Sequence, residues 1–261
     1  MRKLPGFIAG PIWLLCFSIF WGCASDKIAL QVANSLPRSE LADYDDSFDR
    51  FREDLWEKAA SVFSDEQLEN IRLAELTVEN GRLRIDTNTD GFSKGGLITR
   101  YSFRGDFDIQ IDCRIHFLPG RHQMDQNLVC GTLEQGQTRR DTRFFQIGLL
   151  KRGHKNQAFL FSGYHGKGRF HRSYVQPIED FQGTLRIIRI DGQIHTYCRG
   201  MGTKNWKKMC SLESTGNDAM FGFALQNFVR KRDSIAPDAP ITAWFDNYQI
   251  NAAQQIIESE I

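Results

Sequence analysis

GTLRIIRIDGQIHTYCRGMGTKNW, residues Gly183–Trp206, is the stretch whose reading decides the fold. Two runs rich in β-branched and aromatic residues, Thr184–Ile190 and Gln193–Cys198, flank the dipeptide Asp191-Gly192. Both central residues of a type I′ turn need positive φ, so Asp-Gly between such runs predicts a tight hairpin. A two-residue turn pairs Ile190 with Gln193, Ile188 with His195 and Arg186 with Tyr197. Arg186, His195 and Tyr197 then share one face, while Leu185, Ile187, Ile194 and Cys198 share the other. Arg189 falls on the apolar side, and Ile188 and Ile190 on the polar side. Two arrangements therefore stay open: a polar face turned to solvent, or a sheet covered on both faces.

The same two-residue period extends outward. In Phe107–Phe117 the apolar Phe107, Ile109, Ile111, Cys113, Ile115 and Phe117 alternate with Asp108, Gln110, Asp112, Arg114 and His116. That is the pattern of a half-buried antiparallel strand. Further strands are predicted at 143–150, 157–163, 184–190, 193–199, 206–212, 219–227 and 241–250, beginning from Leu83 and Ile85. Many short strands with regular turns give an all-β, two-sheet antiparallel sandwich. Ahead of them, Phe48, Phe51, Leu55 and Trp56 stand at helical spacing, and Ser64 with Gln67 forms a capping box before Leu68 and Ile71, so short N-terminal helices are expected.

The segments VENGRLRIDT (78–87), GDFDIQIDCRI (105–115), LRIIRIDGQIHTYCRG with Trp206 (185–206), FGFALQN (221–227) and ITAWFDNYQI (241–250) follow one another in an order that resembles the concanavalin A-like lectin and glucanase jelly roll, in its laminin-G-like bacterial branch. The likeness spans residues 46–251. It implies two curved antiparallel sheets and a glycan site on the concave face or the rim loops. The candidate concave face carries Gln110, Asp112, Arg114 and His116, joined by Arg186, His195 and Tyr197 of the hairpin. In the family-16 glycoside hydrolases of this fold, one strand carries Glu-x-Asp-x-x-Glu or Glu-x-Asp-x-Glu, the acid pair that acts across the scissile bond. The corresponding run here, Asp106-Phe107-Asp108-Ile109-Gln110-Ile111-Asp112, holds no Glu. No catalytic residue carries over, and the resemblance implies binding rather than hydrolysis.

Asp86, Asn88 and Asp90 fit the opening of an oxygen-rich calcium loop, D-x-N-x-D-G, but Leu97 occupies the place of its closing acid. Calcium is the one cofactor candidate; no Cys/His spacing suggests zinc. Residues 139–172 are rich in cations and rings, among them Arg143, Arg152, Tyr164, His165 and Arg172. Such side chains suit solvated loops and strand edges first, and an acidic glycan as the alternative.

The chain's 261 residues carry 33 Lys plus Arg against 32 Asp plus Glu, a balance that gives no reason to expect a nucleic-acid partner. Arg2 and Lys3 precede an uncharged stretch from Leu4 to Ser25. With Gly22-Cys23 it resembles a bacterial lipoprotein signal, which implies a signal peptide at 1–22 and lipidation at Cys23. Gly22-Cys23-Ala24 also fits ordinary secretory cleavage, and the stretch could instead remain as an anchor. All three place the rest outside the cytoplasm, as a membrane-anchored or secreted envelope protein. Residues 23–45 read as a tether, 46–251 as the sandwich, and 252–261 as a C-terminal tail. Export makes Cys113, Cys130, Cys198 and Cys210 disulfide candidates, with Cys198–Cys210 and Cys113–Cys130 each flanking a turn. The functional expectation is a non-catalytic, lectin-like module that binds carbohydrate. The alternatives are a hydrolase or lyase with a different site, or a protein-interaction adaptor.

Overall fold

The computed structural model describes residues 31–58, 72–88, 92–121, 124–136, 141–167, 169–229 and 240–258. The expected signal peptide, Cys23, Asp90 and the capping box at 64–67 lie outside them.

The chain folds as two stacked sheets in jelly-roll fashion, antiparallel except for one short parallel pairing, Arg72–Leu73 beside Ser93–Lys94, at an edge. One layer places β3 (Glu75–Glu79), β4 (Arg82–Asp86), β15 (Thr242–Glu258), β6 (Tyr101–Ile115), β11 (Phe181–Ile190), β12 (Gln193–Gly200) and β13 (Lys207–Glu213) side by side. The other runs from β5 (Ser93–Thr99), edged by the short β1 (Trp56–Lys58) and β2 (Arg72–Leu73), through β14 (Ala219–Val229), β7 (Met124–Glu134), β8 (Arg143–Arg152) and β9 (Gln157–Gly166) to β10 (Arg169–Ile178). Ala219 joins the layers, pairing with Phe103 of β6 and with Glu134 of β7.

The hairpin forms with the expected register, Arg186 opposite Tyr197 and Ile190 opposite Gln193. Asp191 and Gly192 take φ of 50° and 72°, as a type I′ turn requires. In β6 every apolar member of the alternation points inward: Phe107, Ile109 and Ile115 are fully buried. They meet Phe145, Ile147, Leu128, Phe223 and Leu225 from the facing sheet in one continuous core. Burial of this many large side chains, at about 1.5–3 kcal/mol each, is the main favourable contribution to folding.

Several expectations change. Phe48, Phe51, Leu55 and Trp56 do not form a helix: Phe48 has φ of 53°, and Trp56 begins β1. The cause is Asp46, whose carboxylate accepts both the Phe48 N–H and the Trp56 indole N–H at 2.7 Å, curling the segment so that Trp56 stacks against Phe48. The described part of the expected tether is packed rather than free. A short helix, α1 (Arg38–Leu41), buries Leu41, and the Leu36 N–H donates to the Ala253 carbonyl at 2.8 Å. Residues 252–258 are no tail either, because β15 pairs with β6 as far as Glu258 opposite Tyr101.

The four cysteines are free thiols, which corrects the disulfide reading. Cys198 stands opposite Lys207, and Cys210 opposite Thr196, so the two are offset along β12 and β13 rather than facing. Cys210 instead contacts the Ser162 and Thr196 hydroxyls at 3.0 and 3.3 Å. Cys113 and Cys130 belong to different layers, and burial pushes both thiols up.

Arg189, which the hairpin pattern placed on the apolar side, is indeed interior and is fully satisfied there. It pairs with Glu134 at 3.2 Å and donates to the carbonyls of Gly105, Asn217 and Phe103, stitching the joint between the sheets. Glu134 in turn accepts from Ser214 and Thr215 at 2.6 Å. Removing one member of a buried pair leaves an uncompensated charge, so Glu134→Ala should cost about 3–5 kcal/mol in urea unfolding. Adding Arg189→Met to that variant should recover part of the loss; an unchanged midpoint for Glu134→Ala would show that this joint carries no such stake.

Candidate functional site

The polar members of β6 point away from the core, onto the outer face of their sheet, and cross-strand register organises them into rows. One row runs Asp246, Asp112, Thr184, Arg199 across β15, β6, β11 and β12. The next runs Trp244, Arg114, Gln182. A cavity of about 330 Å³ opens over these two rows. One end is walled by the loop after β12, where the Met201 N–H donates to the Gln182 carbonyl at 2.8 Å and Gly202 turns the chain with φ of 75°.

Asn247 completes the floor. It sits at an irregularity in the β15–β6 pairing, with φ of 47°, and the extra residue swings its amide over the sheet to donate to Asp112 at 3.1 Å. Asp112 also accepts from the Thr184 hydroxyl at 2.5 Å. Asp246 accepts from the Asn247 N–H at 2.8 Å and from Arg82 at 3.3 Å. Arg114 stacks on the Trp244 ring, 5.4 Å from its centroid, and donates to His116 at 2.8 Å. His116 bonds Asp180 at 2.7 Å. Burial alone would push Asp180 up, but the His116 and Phe117 N–H bonds outweigh it and hold the carboxyl below its usual range.

Of the seven sequence-predicted face residues, Asp112 and Arg114 line the cavity. His116 supports Arg114 from the end of the row. Gln110 lies one row further, bonded to Gln249 and Asn251. Arg186 clamps Asp108 through Nε at 2.7 Å and through Nη2, and Asn251 adds a third bond to the same carboxylate. The run resembling the glycosidase acid strand thus holds its central carboxylate in a nearly buried ion pair. His195 and Tyr197 share the outward face but are covered. Tyr197 packs with Ile188, Ile190 and Trp206, and His195 bonds Ser211 at 2.8 Å. Burial, helped by Lys208, pushes the His195 imidazole down toward its neutral form. The open alternative of the hairpin resolves in two parts: the Thr184–Arg199 end opens onto the cavity, and from the Arg186–Tyr197 pair toward the turn the face is covered, with Trp206 packed over Ile188, Ile190 and Tyr197.

The expected calcium loop has other commitments. Asp86 binds Arg84 at 2.7 Å and the Thr242 hydroxyl, and the Asn88 amide donates to the Leu73 carbonyl at 2.8 Å. Among the described residues no group of three or more His, Cys, Asp or Glu is placed to hold a metal ion. The cation-rich stretch forms β8 to β10 in the other layer, where its charges sit on rings and backbone. Arg143 lies 5.6 Å from the Tyr164 ring, Arg172 lies 5.8 Å from the Phe170 ring, and Lys151 donates to the Leu118 carbonyl.

Trp244, Asp246, Asn247, Arg82, Thr184 and Arg199 were missing from the sequence reading. The alternation Thr242, Trp244, Asp246 against Ala243 and Phe245 was a usable signal for two of them. Arg199 and Asn247 depend on a strand pairing and a bulge that carry no local signature.

No protein-family model and no curated protein matches the sequence. Solved structures do resemble it. The CBM2 module of Lactobacillus casei BL23 phage J-1 evolved Dit aligns with a TM-score of 0.56 at 9% identity, over 80% of this chain and 95% of that one. A prokaryotic β-1,3-1,4-glucanase (lichenase) derived from a mouse hindgut metagenome aligns with a TM-score of 0.52 at 14% identity, over 79% and 97%. The Bacillus licheniformis β-glucanase aligns at 0.51 and 12% identity, over 84% and 99%. At these identities the likeness establishes a shared concanavalin A-like jelly-roll fold.

Asp246 gives this site a pH signature. Burial first, and then the negative charge of Asp112, raise its carboxyl above the ordinary 3.8, despite the Asn247 and Arg82 bonds. The folded state therefore holds this proton to higher pH than the unfolded chain. The stability that Asp246 contributes is fully present below the unfolded value and is lost as pH rises through the folded one. Carboxyl-carbon NMR should find Asp246 titrating above a reference aspartate, and higher still in Arg82→Gln; a midpoint at or below 3.8 would refute this.

Proposed function

We propose that this chain is a non-catalytic carbohydrate-binding module, exported and held at the cell envelope by its N-terminal segment, with lipidation at Cys23. The carrying observation is the groove over Asp112. A tryptophan ring, Trp244, stands beside floor carboxylates and amides that are already oriented by one another. Sugar rings offer an apolar C–H face and a rim of hydroxyls. An aromatic edge with fixed acceptors matches both, and pre-set side chains lower the entropic cost of binding. The fold shared with glucanases and a CBM2 module supports the same reading.

One observation favours a second reading, a glycan-acting enzyme. Asp112 and Asp246 are directly opposed across β6 and β15, and one of them has a raised pKa. Paired carboxylates with divergent pKa values are how glycosidases divide nucleophile and acid roles. The binding reading is preferred because all four carboxylate oxygens already accept hydrogen bonds from Thr184, Asn247 or Arg82.

A glycan array with the full-length chain tests both. Binding should be retained in chelator, and Trp244→Ala and Asp112→Asn should each weaken it about tenfold or more, in keeping with loss of a stacking or charge-assisted contact. Equal affinity in both variants would remove the groove from consideration. Release of reducing ends from a bound glycan, abolished by Asp246→Asn, would replace the binding reading with the enzymatic one.

A further inference from the structure

The arginines on the groove face fall into two groups. Arg82, Arg84 and Arg186 are neutralised by carboxylates: Asp246, then Glu79 with Asp86, then Asp108. Arg114 and Arg199 are different. Neither takes part in any ion pair among the described residues, and each lies over a tryptophan instead. Arg114 is 5.4 Å from the Trp244 centroid, and Arg199 is 4.4 Å from that of Trp206. Each spends one donor on a neighbour that is not a carboxylate, Arg114 on His116 and Arg199 on the Thr184 hydroxyl at 3.3 Å. Stacking on a ring fixes a guanidinium in plane while leaving its remaining N–H edge free. That is the arrangement in which arginine recognises a planar carboxylate by two parallel bonds.

Their positions matter as much as their freedom. Arg114 is on β6 and Arg199 on β12, two strands apart and one row apart in register. With strands spaced about 4.8 Å and residues rising about 3.3 Å, their Cα atoms are about 12 Å apart. Trp244 lies on the β15 side of Arg114, away from Arg199, while Arg199 holds the β12 end of its row between Trp206 and the Thr184 hydroxyl. Between them lie Asp112, Thr184 and Gln182. The floor is thus anionic and rich in acceptors, and the flanks are cationic.

We propose that the groove selects polymers of uronic acid, with the carboxylates of separate sugar units gripped by Arg114 and Arg199 and the hydroxyls between them received by Asp112. This rests on the carbohydrate reading above and names the ligand class of the same groove. A neutral glycan would leave two positioned guanidiniums without an anionic partner. A densely sulfated one would press negative charge onto Asp112 and Asp246. One carboxylate per sugar unit matches cationic flanks around an anionic floor.

Calorimetric titration of the full-length chain with short oligomers of galacturonate and of mannuronate tests this. The comparison probes are the methyl esters of those oligomers, a neutral β-glucan oligomer and a sulfated dextran. Uronate oligomers should bind, and their methyl esters should bind roughly ten- to hundredfold more weakly, as expected for losing charge-assisted bonds. Arg114→Gln and Arg199→Gln should each produce a loss of similar size. Arg199→Lys should recover only part of it, and Arg143→Gln, in the other sheet, should change nothing. The ester comparison uses the unaltered protein and stands even if a variant fails to fold. Neutral β-glucan binding as tightly as uronate overturns the proposal but leaves the carbohydrate reading intact. Tighter binding of the sulfated probe also overturns it, and failure of every saccharide overturns both.

Discussion

Everything in this molecule hangs on the register of β6. Nine consecutive residues of β11, Phe181 to Arg189, pair with Ile115 to Phe107 without interruption, while β15 pairs along the other edge. Side chains alternate with a period of two, so a slip of one residue would send Phe107, Ile109, Ile111 and Ile115 to solvent and Asp108, Gln110 and Asp112 into the core. The cost of exposing one set and burying the other makes the register nearly obligatory. Once it holds, the outer rows follow. Asp112 must lie beside Thr184 and Asp246, and Arg114 beside Gln182 and Trp244.

The outer face is a network rather than a scatter of polar residues. Asp108 is held by Arg186 and Asn251, Gln110 by Gln249 and Asn251, and Asp112 by Thr184 and Asn247. Such mutual bonding lets carboxylates sit partly desolvated without isolated charge, and it fixes rotamers before any ligand arrives. Trp206 carries a second structural load. It lies over Arg186 at 5.1 Å and Arg199 at 4.4 Å, and it also seals the small cluster of Ile188, Ile190 and Tyr197. One indole therefore separates the open part of the hairpin face from its covered part.

Strands with clean alternation were legible from the chain alone, and their bounds agree with the structure within a few residues at β8, β9, β11, β12 and β14. Among the strands of seven residues or more, three were not. β5, Ser93–Thr99, contains two adjacent glycines, and a Cβ on Gly96 would fall 2.0 Å from the Phe223 carbonyl oxygen. Its glycines answer to close strand approach, which reads locally as a turn. β7 begins Met124-Asp125-Gln126-Asn127, where Asp125 and Gln126 are fully buried and held by tertiary bonds, so the polar run masks a central strand. β10 is an edge strand dominated by polar and charged side chains, a composition that suits edges and resembles a loop. The helical spacing of Phe48 to Trp56 misled for a similar reason: those side chains converge on one core from an irregular segment organised by Asp46.

The sequence by itself determined the β architecture, the hairpin and its register, and the division of β6 into an inward and an outward set. These follow from turn stereochemistry and from the two-residue period, both local properties of the chain. The tertiary structure alone decided which outward residues form a site. It covered Tyr197 and His195, engaged Asp86 and Asn88 elsewhere, kept the four cysteines apart from one another as thiols, and carried Trp244, Asp246 and Asn247 to the side of Asp112 across 132 to 135 positions of sequence. Cross-strand neighbours are chosen by sheet topology and by bulges, and no stretch of sequence records the strand that will lie beside it.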